Sequence, residues 1–290
     1  MSIAPTDPAA KASVLIEALP YIRRWSGKTV VIKVGGEILE SPEVLSAFAT
    51  DLALMRFVGM NPVVVHGGGP QISDIMEKLG KQPAFVGGHR ITDAETVGIV
   101  RMVLIGDINK LVVNAINAAG ARAAGISGED GMLFVARRIT GAEGQDIGFV
   151  GEVDRVDSSL IEALLAGEFI PVIAPVGIAP DGPHNINADL AAGALAPALE
   201  AEKIVFLTNV RGLYRDHADR SGLISQITTG ELKKLMSEGA VGAGMIPKMN
   251  SVLEAIEAGV HTAHILDGRV PHALLLEIFT DEGLGTMVRP

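Results

Sequence analysis

The chain has no cysteine. Disulfides, thiolate metal sites and cysteine nucleophiles are thereby excluded, and a reducing compartment is permitted without being demanded. No uninterrupted apolar run reaches the ~18 residues that a membrane-spanning helix needs, and Met1 to Pro8 lack the basic start and apolar centre of a secretory signal. Internal repeats and low-complexity tracts are absent. Positive charge is also scarce: 24 Lys and Arg stand against 34 Asp and Glu, a formal net charge of -10. With no long basic run, general binding to nucleic acid or to a membrane surface is disfavoured. Any anionic ligand must therefore be held by a few placed cations. These readings predict a cytoplasmic protein. What the chain does have is 48% hydrophobic and 20% charged residues over 290 positions. That excludes disordered and fibrous classes and suffices for one large core or two modest ones.

Short β-branched runs alternate with longer stretches of helical period, the pattern of parallel strands joined by crossover helices, so the fold class is α/β. Strands are predicted at Thr29 to Val34, Pro62 to Val65, Ile170 to Ala174, Ile204 to Thr208 and Ala263 to Leu266. Helices are predicted at Glu43 to Phe57, Pro70 to Leu79, Ser158 to Leu165, Asp189 to Leu199, Glu231 to Glu238 and Met249 to Ala258. Between about Ala121 and Val156, Gly and charged residues interrupt the runs Met132 to Ala136 and Phe149 to Val153, which suggests β-hairpins inserted as a lid. Gly, Pro and Asp crowd together from Pro175 to Pro183, and a soft division is placed near residue 180. Ahead of the first strand, Val14, Leu15, Ala18, Leu19, Ile22 and Trp25 can share one helical face that Pro20 should bend. That face docks on its own domain or pairs with a second subunit.

Two Gly clusters fall at strand C-termini: Lys33-Val34-Gly35-Gly36, and His66-Gly67-Gly68-Gly69-Pro70 just before a helix. In an open α/β sheet the ligand crevice lies at those ends, where loops without side chains let backbone N–H groups approach an anion. Neither cluster matches the P-loop or the dinucleotide fingerprint. Lys33 stands in an otherwise apolar strand, where a buried ammonium needs a counter-charge unless it reaches solvent from the strand end. Lys248, in Gly244-Met245-Ile246-Pro247-Lys248, precedes a helix start, where a cation opposes the helix dipole and wants another reason to be there. Arg90, after Gly87-Gly88-His89, offers a planar fork for gripping a carboxylate. Asn185, Asn187 and Asp189 alternate and then open a helix; capping accounts for Asn187 or Asp189, though not for all three. Leu207 to Tyr214 passes from a buried strand into a Gly turn suited to the flat face and sugar of a nucleotide.

In this order, the motifs Val31 to Gly36, Val63 to Gln71, Gly87 to Asp93, Asn185 to Asp189, Leu207 to Tyr214 and Gly244 to Lys248 resemble the amino acid kinase family, and within it the members acting on N-acetyl-L-glutamate. The resemblance runs from about Lys28 to the C-terminus. It implies a single central, mostly parallel sheet sandwiched by helices, in two lobes with a β-hairpin lid. Residues 28–180 would bind acetylglutamate, residues 181–290 would bind MgATP, and residues 1–27 would form an oligomerisation helix. Carried over residue by residue, Lys33 and Lys248 resemble the lysines that stabilise the transferring phosphoryl group, and Asp189 the acid that orients them. Gly68, Gly69, Arg90, Asn185 and Asn187 resemble substrate-binding positions. Gly35 and Gly36, with Asn209, Val210, Arg211, Gly212, Leu213 and Tyr214, fall in the ATP-binding region; some family members carry Asp where this chain has Asn209. ATP and Mg²⁺ are the implied cofactors, and no protein metal ligands are nominated, since the substrate phosphates would supply many of them.

The N-terminal Leu19 to Trp25, together with His264 to Arg269 and Leu276 through Gly283 and Gly285, resembles the arginine-inhibited subgroup, whose N-terminal helices build ring-like hexamers, trimers of dimers. His264, Glu277 and Gly285 are then candidate arginine-binding positions, while Leu274 to Phe279 also reads as an ordinary core helix. Other acceptors remain open at this point: carbamate, aspartate, glutamate or UMP. So does a non-catalytic arginine sensor or signalling scaffold, and the sequence does not decide whether a PII-type regulator docks.

Overall fold

The computed structural model describes residues 7–141, 143–215, 222–280 and 283–290; residues 1–6 of the predicted N-terminal segment therefore lie outside the described residues. In chain order the elements are helix α1 (Pro8–Trp25), strand β1 (Thr29–Val34), α2 (Pro42–Phe57), β2 (Asn61–His66), α3 (Gly69–Lys78) and the short hairpin β3 (Phe85–Val86) and β4 (His89–Arg90). Next come α4 (Ala94–Arg101), a π-helical stretch at Met102–Ile108, α5 (Asn109–Ala118), β5 (Ala123–Ser127), β6 (Phe134–Arg138), β7 (Val150–Val156), α6 (Ser159–Ala166) and β8 (Ile170–Ala174). The remainder is β9 (Val176–Ala179), β10 (Gly182–Ile186), α7 (Ala188–Ala198), β11 (Lys203–Thr208), β12 (Gln226–Thr228), α8 (Thr229–Ser237), α9 (Ile246–Glu257), β13 (Thr262–Asp267), α10 (Ala273–Phe279) and β14 (Thr286–Arg289).

Eight strands form one sheet in the order β12-β14-β13-β11-β1-β2-β8-β5. From β13 to β5 every pairing is parallel, and β14 runs antiparallel to β13. The period of two along a strand sorts the side chains into two cores. Val30, Ile32 and Val34 of β1 face a layer that includes Phe48 and Leu52 of α2, Val112 and Ile116 of α5 and Leu274 of α10. Val31 faces the opposite layer, with Leu195 of α7 and Val252 and Ile256 of α9. Helices therefore cover both faces, as parallel β-branched strands require. At the start of α1, Asp7 accepts from Ala9 N–H, and the helix continues through Pro20 to Trp25.

The sequence reading named no helix where α4, the π-helical stretch and α5 lie, and three further features differ from it. Ala123–Ser127 is a strand of the main sheet, on its edge beside β8; Ala-Ala-Gly-Ile-Ser has little β-propensity and gave no local sign of it. The runs expected as a lid do pair antiparallel, as β6 and β7, but they are two staves of a closed four-stranded barrel completed by β9 and β10. Those two staves come from the Gly- and Pro-rich Pro175 to Pro183 region and its flank, where turn residues masked them. Finally, α9 begins at Ile246 instead of Met249, which puts Lys248 inside its first turn.

Candidate active site

Strands β2, β1, β11 and β13 lie side by side and end together. At ~4.8 Å per strand, their ends span roughly 14 Å. Each end feeds a loop, so the C-terminal edge of the sheet carries Gly67–Gly69, Gly35–Gly36, Asn209–Tyr214 and Asp267–Arg269 in a row. At the β2 end, a cleft of about 230 Å³ is lined by Lys33, Gly36, Gly68, Gly69, Arg90, Asn185, Asn187 and Asp189. At the other end, a pocket of about 530 Å³ is lined by all six residues from Asn209 to Tyr214, with Val241, Met245, Asp267 and Arg269. A smaller hollow of about 200 Å³, bordered by Lys33, Gly35, Gly36 and Asn209, lies between them. Gly35 and Gly36 thus sit apart from the large pocket, on the passage toward it.

Asp189 occupies the first turn of α7, where a carboxylate suits the helix dipole. One of its oxygens, Oδ1, lies 2.9 Å from Lys33 Nζ and 2.7 Å from Lys248 Nζ. Burial pushes the Asp189 carboxyl up, but the charges of Lys33 and Lys248 together outweigh it and hold the pKa at about 2. Burial, and then the like charge of Lys33, bring Lys248 down to about 8, with Asp189 resisting. The side chains of all three are largely enclosed, so the attraction is little screened by water. Both lysines therefore have the counter-charge their apolar surroundings demand: β1 for Lys33, and the Phe206 ring, 5.2 Å away, for Lys248.

Arg90 is buried and already braced. One terminal nitrogen donates to the Gly69 carbonyl and to Ser73 Oγ, both at 2.8 Å, the other contacts the Met76 sulfur at 3.4 Å, and the guanidinium stacks on Phe85. Two of its five N–H donors remain for a ligand. Asn187 accepts from the N–H groups of Asp189 and Leu190, so its amide caps α7. Asn185 reaches Thr92 Oγ1 at 3.4 Å. Gly68 is closely packed: a Cβ there would displace the side-chain ends of Leu104 and Ile108.

Glu37 was not singled out from the sequence, although an acid directly after Gly35-Gly36 was the available signal. Its carboxylate accepts from Asn209 Nδ2 at 2.6 Å, tying the β1 loop to the β11 loop beside the middle hollow. No group of three His, Cys, Asp or Glu side chains suited to a metal ion occurs among the described residues.

The model of the amino acid kinase family matches residues 28–267. The chain belongs to the amino acid kinase family. Among family relatives, the acetylglutamate kinase of Pelotomaculum thermopropionicum is 51% identical over 292 residues, covering 98% of this chain and 99% of the relative. That of Halorhodospira halophila is 50% identical, with 98% and 97% covered. Among solved structures, the N-acetylglutamate synthase of Neisseria gonorrhoeae complexed with coenzyme A and N-acetyl-glutamate superposes with a TM-score of 0.85 at 27% identity; the match covers 96% of this chain and 63% of that one. The carbamate kinase of Giardia lamblia bound to AMP-PNP, at TM-score 0.67 and 18% identity, shares the amino acid kinase fold over 91% of this chain and 99% of its own.

This family member has a further cavity, of about 380 Å³, at the opposite edge of the sheet. It is lined by Tyr21, Arg24 and Trp25 of α1, Lys203, His264, Glu277 and Gly285. Glu277 Oε1 lies 2.6 Å from His264 Nδ1 and 3.3 Å from Lys203 Nζ. Burial raises Glu277, but the hydrogen bond from His264 and the Lys203 charge leave its pKa net lowered. His264 Nε2 is buried without a hydrogen-bond partner among the described residues. His264 and Asp267 were read together in one motif, yet β13 carries them to opposite ends: His264 to this cavity, Asp267 to the large pocket.

Proposed function

We propose that this chain transfers the γ-phosphoryl group of ATP to the side-chain carboxylate of N-acetyl-L-glutamate. The observation that carries the reading is the pair of ammonium groups on Asp189 Oδ1 at the junction of a small cleft with a larger pocket. A glutamate side chain has an unperturbed pKa near 4.3, so roughly 99% is ionised at pH 7 and the nucleophile needs no general base. Its oxygen attacks the γ-phosphorus, the bond to the bridging oxygen breaks, and ADP leaves with the electron pair. The difficulty is repulsion between anions, and phosphoryl transfer is catalysed chiefly by positioning and placed positive charge. Lys33 and Lys248 supply that charge, and Asp189 keeps both from drifting to solvent. Bound with ATP, Mg²⁺ would neutralise further phosphate charge, the phosphates supplying many of its ligands. The 530 Å³ pocket falls in the usual range for a small-molecule site and takes the adenosine.

The acceptor lobe is assigned to residues 28–180 and the nucleotide lobe to 181–290, with Asn185 to Asp189 reaching back into the acceptor cleft. Arginine is assigned to the cavity around Glu277, whose buried carboxylate suits a guanidinium and whose neighbour His264 has a ring nitrogen with no hydrogen-bond partner among the described residues. Val14, Leu15 and Ile16 of α1 are 65%, 70% and 65% exposed, which supports pairing of this helix with a second copy, on the way to a hexamer. We place the enzyme in the cytoplasm; no described helix is long and apolar enough to cross a membrane.

The test is Mg²⁺-dependent ADP release with N-acetyl-L-glutamate, glutamate, aspartate, carbamate and UMP, each with and without arginine. Turnover selective for N-acetyl-L-glutamate is expected, suppressed by arginine. Activity confined to another acceptor overturns the substrate, and indifference to arginine overturns the regulatory site alone.

A further inference from the structure

The buried His66 has no part in this scheme. His66, the last residue of β2, is fully enclosed, and both ring nitrogens are engaged: Nδ1 is 3.1 Å from the Gly67 carbonyl oxygen and Nε2 is 3.2 Å from Asn109 Nδ2. The orientation of the Asn109 amide does not depend on the ring, because Nδ2 also faces the carbonyls of Val172 at 2.9 Å and Ile126 at 3.3 Å. An amide nitrogen only donates, so Nε2 accepts, the ring hydrogen sits on Nδ1, and it donates to Gly67. Burial, with Lys110 nearby, brings the imidazole pKa down to about 4, so the neutral ring prevails at neutral pH.

The peptide joining Gly67 to Gly68 is trans and planar, so its C=O and N–H point in opposite directions. Anchoring the oxygen on His66 therefore aims the Gly68 N–H the other way. Gly68 borders the acceptor cleft, and its nitrogen lies against Gly36, where a side chain would crowd it. As the cap residue of α3, Gly68 lies at the helix end whose N–H groups have no partner within the helix. The support beneath is specialised. The π-helical stretch, a feature that recurs at functional sites, places Leu104 and Ile108 under Gly68 and ends just before Asn109. Gly125 leaves room for the Asn109 amide, which any Cβ there would overlap. Two polar side chains buried at this point cost more than an apolar pair.

We propose that His66, its ring held by Asn109, is a positioning residue for phosphoryl transfer, holding the Gly67–Gly68 peptide so that the Gly68 N–H meets the charge developing between the acceptor carboxylate and the γ-phosphate. The inference rests on the kinase reading above. A matched pair of variants tests it. In His66→Asn the amide nitrogen takes the place of Nδ1 and keeps the bond to Gly67; in His66→Gln the amide takes the place of Nε2, keeping Asn109 and losing Gly67. Rates are taken per ATP-binding site, counted by calorimetry, so that misfolded protein does not enter. H66N is expected to keep kcat within about threefold of the unaltered chain, and H66Q to lose about 10- to 100-fold in kcat with KM for either substrate within about threefold, below or at the scale of losing a preorganised donor outright. In ¹⁵N-glycine-labelled unaltered protein, the Gly68 amide proton should shift on adding MgADP, N-acetyl-L-glutamate and aluminium fluoride. Equal kcat in the two variants, or an unmoved Gly68 amide, overturns the proposal and leaves the kinase reading standing. An unaltered chain that binds ATP without turnover overturns both.

Discussion

Lys33 and Lys248 meet on a single atom, one from the middle strand of the sheet and one from the first turn of α9, their Nζ atoms 2.9 and 2.7 Å from Asp189 Oδ1. Two ammonium groups this close repel each other, and the shared carboxylate offsets that repulsion in a buried setting. On the proposed reading, a triphosphate entering between them would meet charge that is already oriented. We expect Lys33→Ala and Lys248→Ala each to lower kcat by roughly a hundredfold or more, the scale for losing one preorganised donor, with folding checked by circular dichroism. A kcat unchanged in either variant removes that lysine from the mechanism.

The same triad sets an alkaline limit. With Lys248 at about 8, its charge is complete below that pH and lost above it, so ATP affinity of the free enzyme should fall as pH rises through 8. The Lys33 charge lowers the Lys248 pKa and the Asp189 charge raises it. Removing Lys33 should therefore move the fall to higher pH, and Asp189→Asn should move it to lower pH. Calorimetric titration of ATP from pH 6 to 10 measures both; shifts in the same direction would contradict the coupling.

Arg90 is expected to act on binding. Its fork already holds the Gly69 carbonyl and Ser73 Oγ, and a lysine cannot keep these contacts, stack flat on Phe85 and still grip a carboxylate. For Arg90→Lys we expect KM for N-acetyl-L-glutamate to rise about tenfold or more, with kcat within a few-fold. A loss confined to kcat would assign Arg90 to the chemical step instead.

What the sequence disclosed was local. An ammonium in an apolar strand announced Lys33, and Gly clusters at strand ends announced the cleft, because both signals lie within a few residues. Lys248 was suspected for opposing its helix dipole, and Asp189 resolves that suspicion from across the fold. Where the information is spatial, the sequence was silent. Glu37 and Asn109 gain meaning only from partners far along the chain. The barrel stayed hidden because Pro175, Gly177, Gly182 and Pro183 read as punctuation even though β9 and β10 pair through that stretch. The capping that the sequence allowed for Asn187 is present: its Oδ1 caps α7, the helix that presents Asp189, and the residue also borders the cleft.

The Glu37–Asn209 contact explains why an amide suits position 209 in this chain. At 2.6 Å the amide donates to the carboxylate; an aspartate there would set two carboxylates against each other on the path of an anionic nucleotide. Two like charges ~4 Å apart repel by about 1 kcal/mol in water and by more near a protein surface. We therefore expect Asn209→Asp to raise KM for ATP by about 3- to 10-fold with kcat little changed. The cause is a pair, so the cure should be too: Glu37→Gln in the N209D background should restore KM to within about twofold, a coupling that a double-mutant cycle reads directly. Additive effects of the two substitutions would mean that each acts on the nucleotide separately and that the contact between the loops carries no energy of its own.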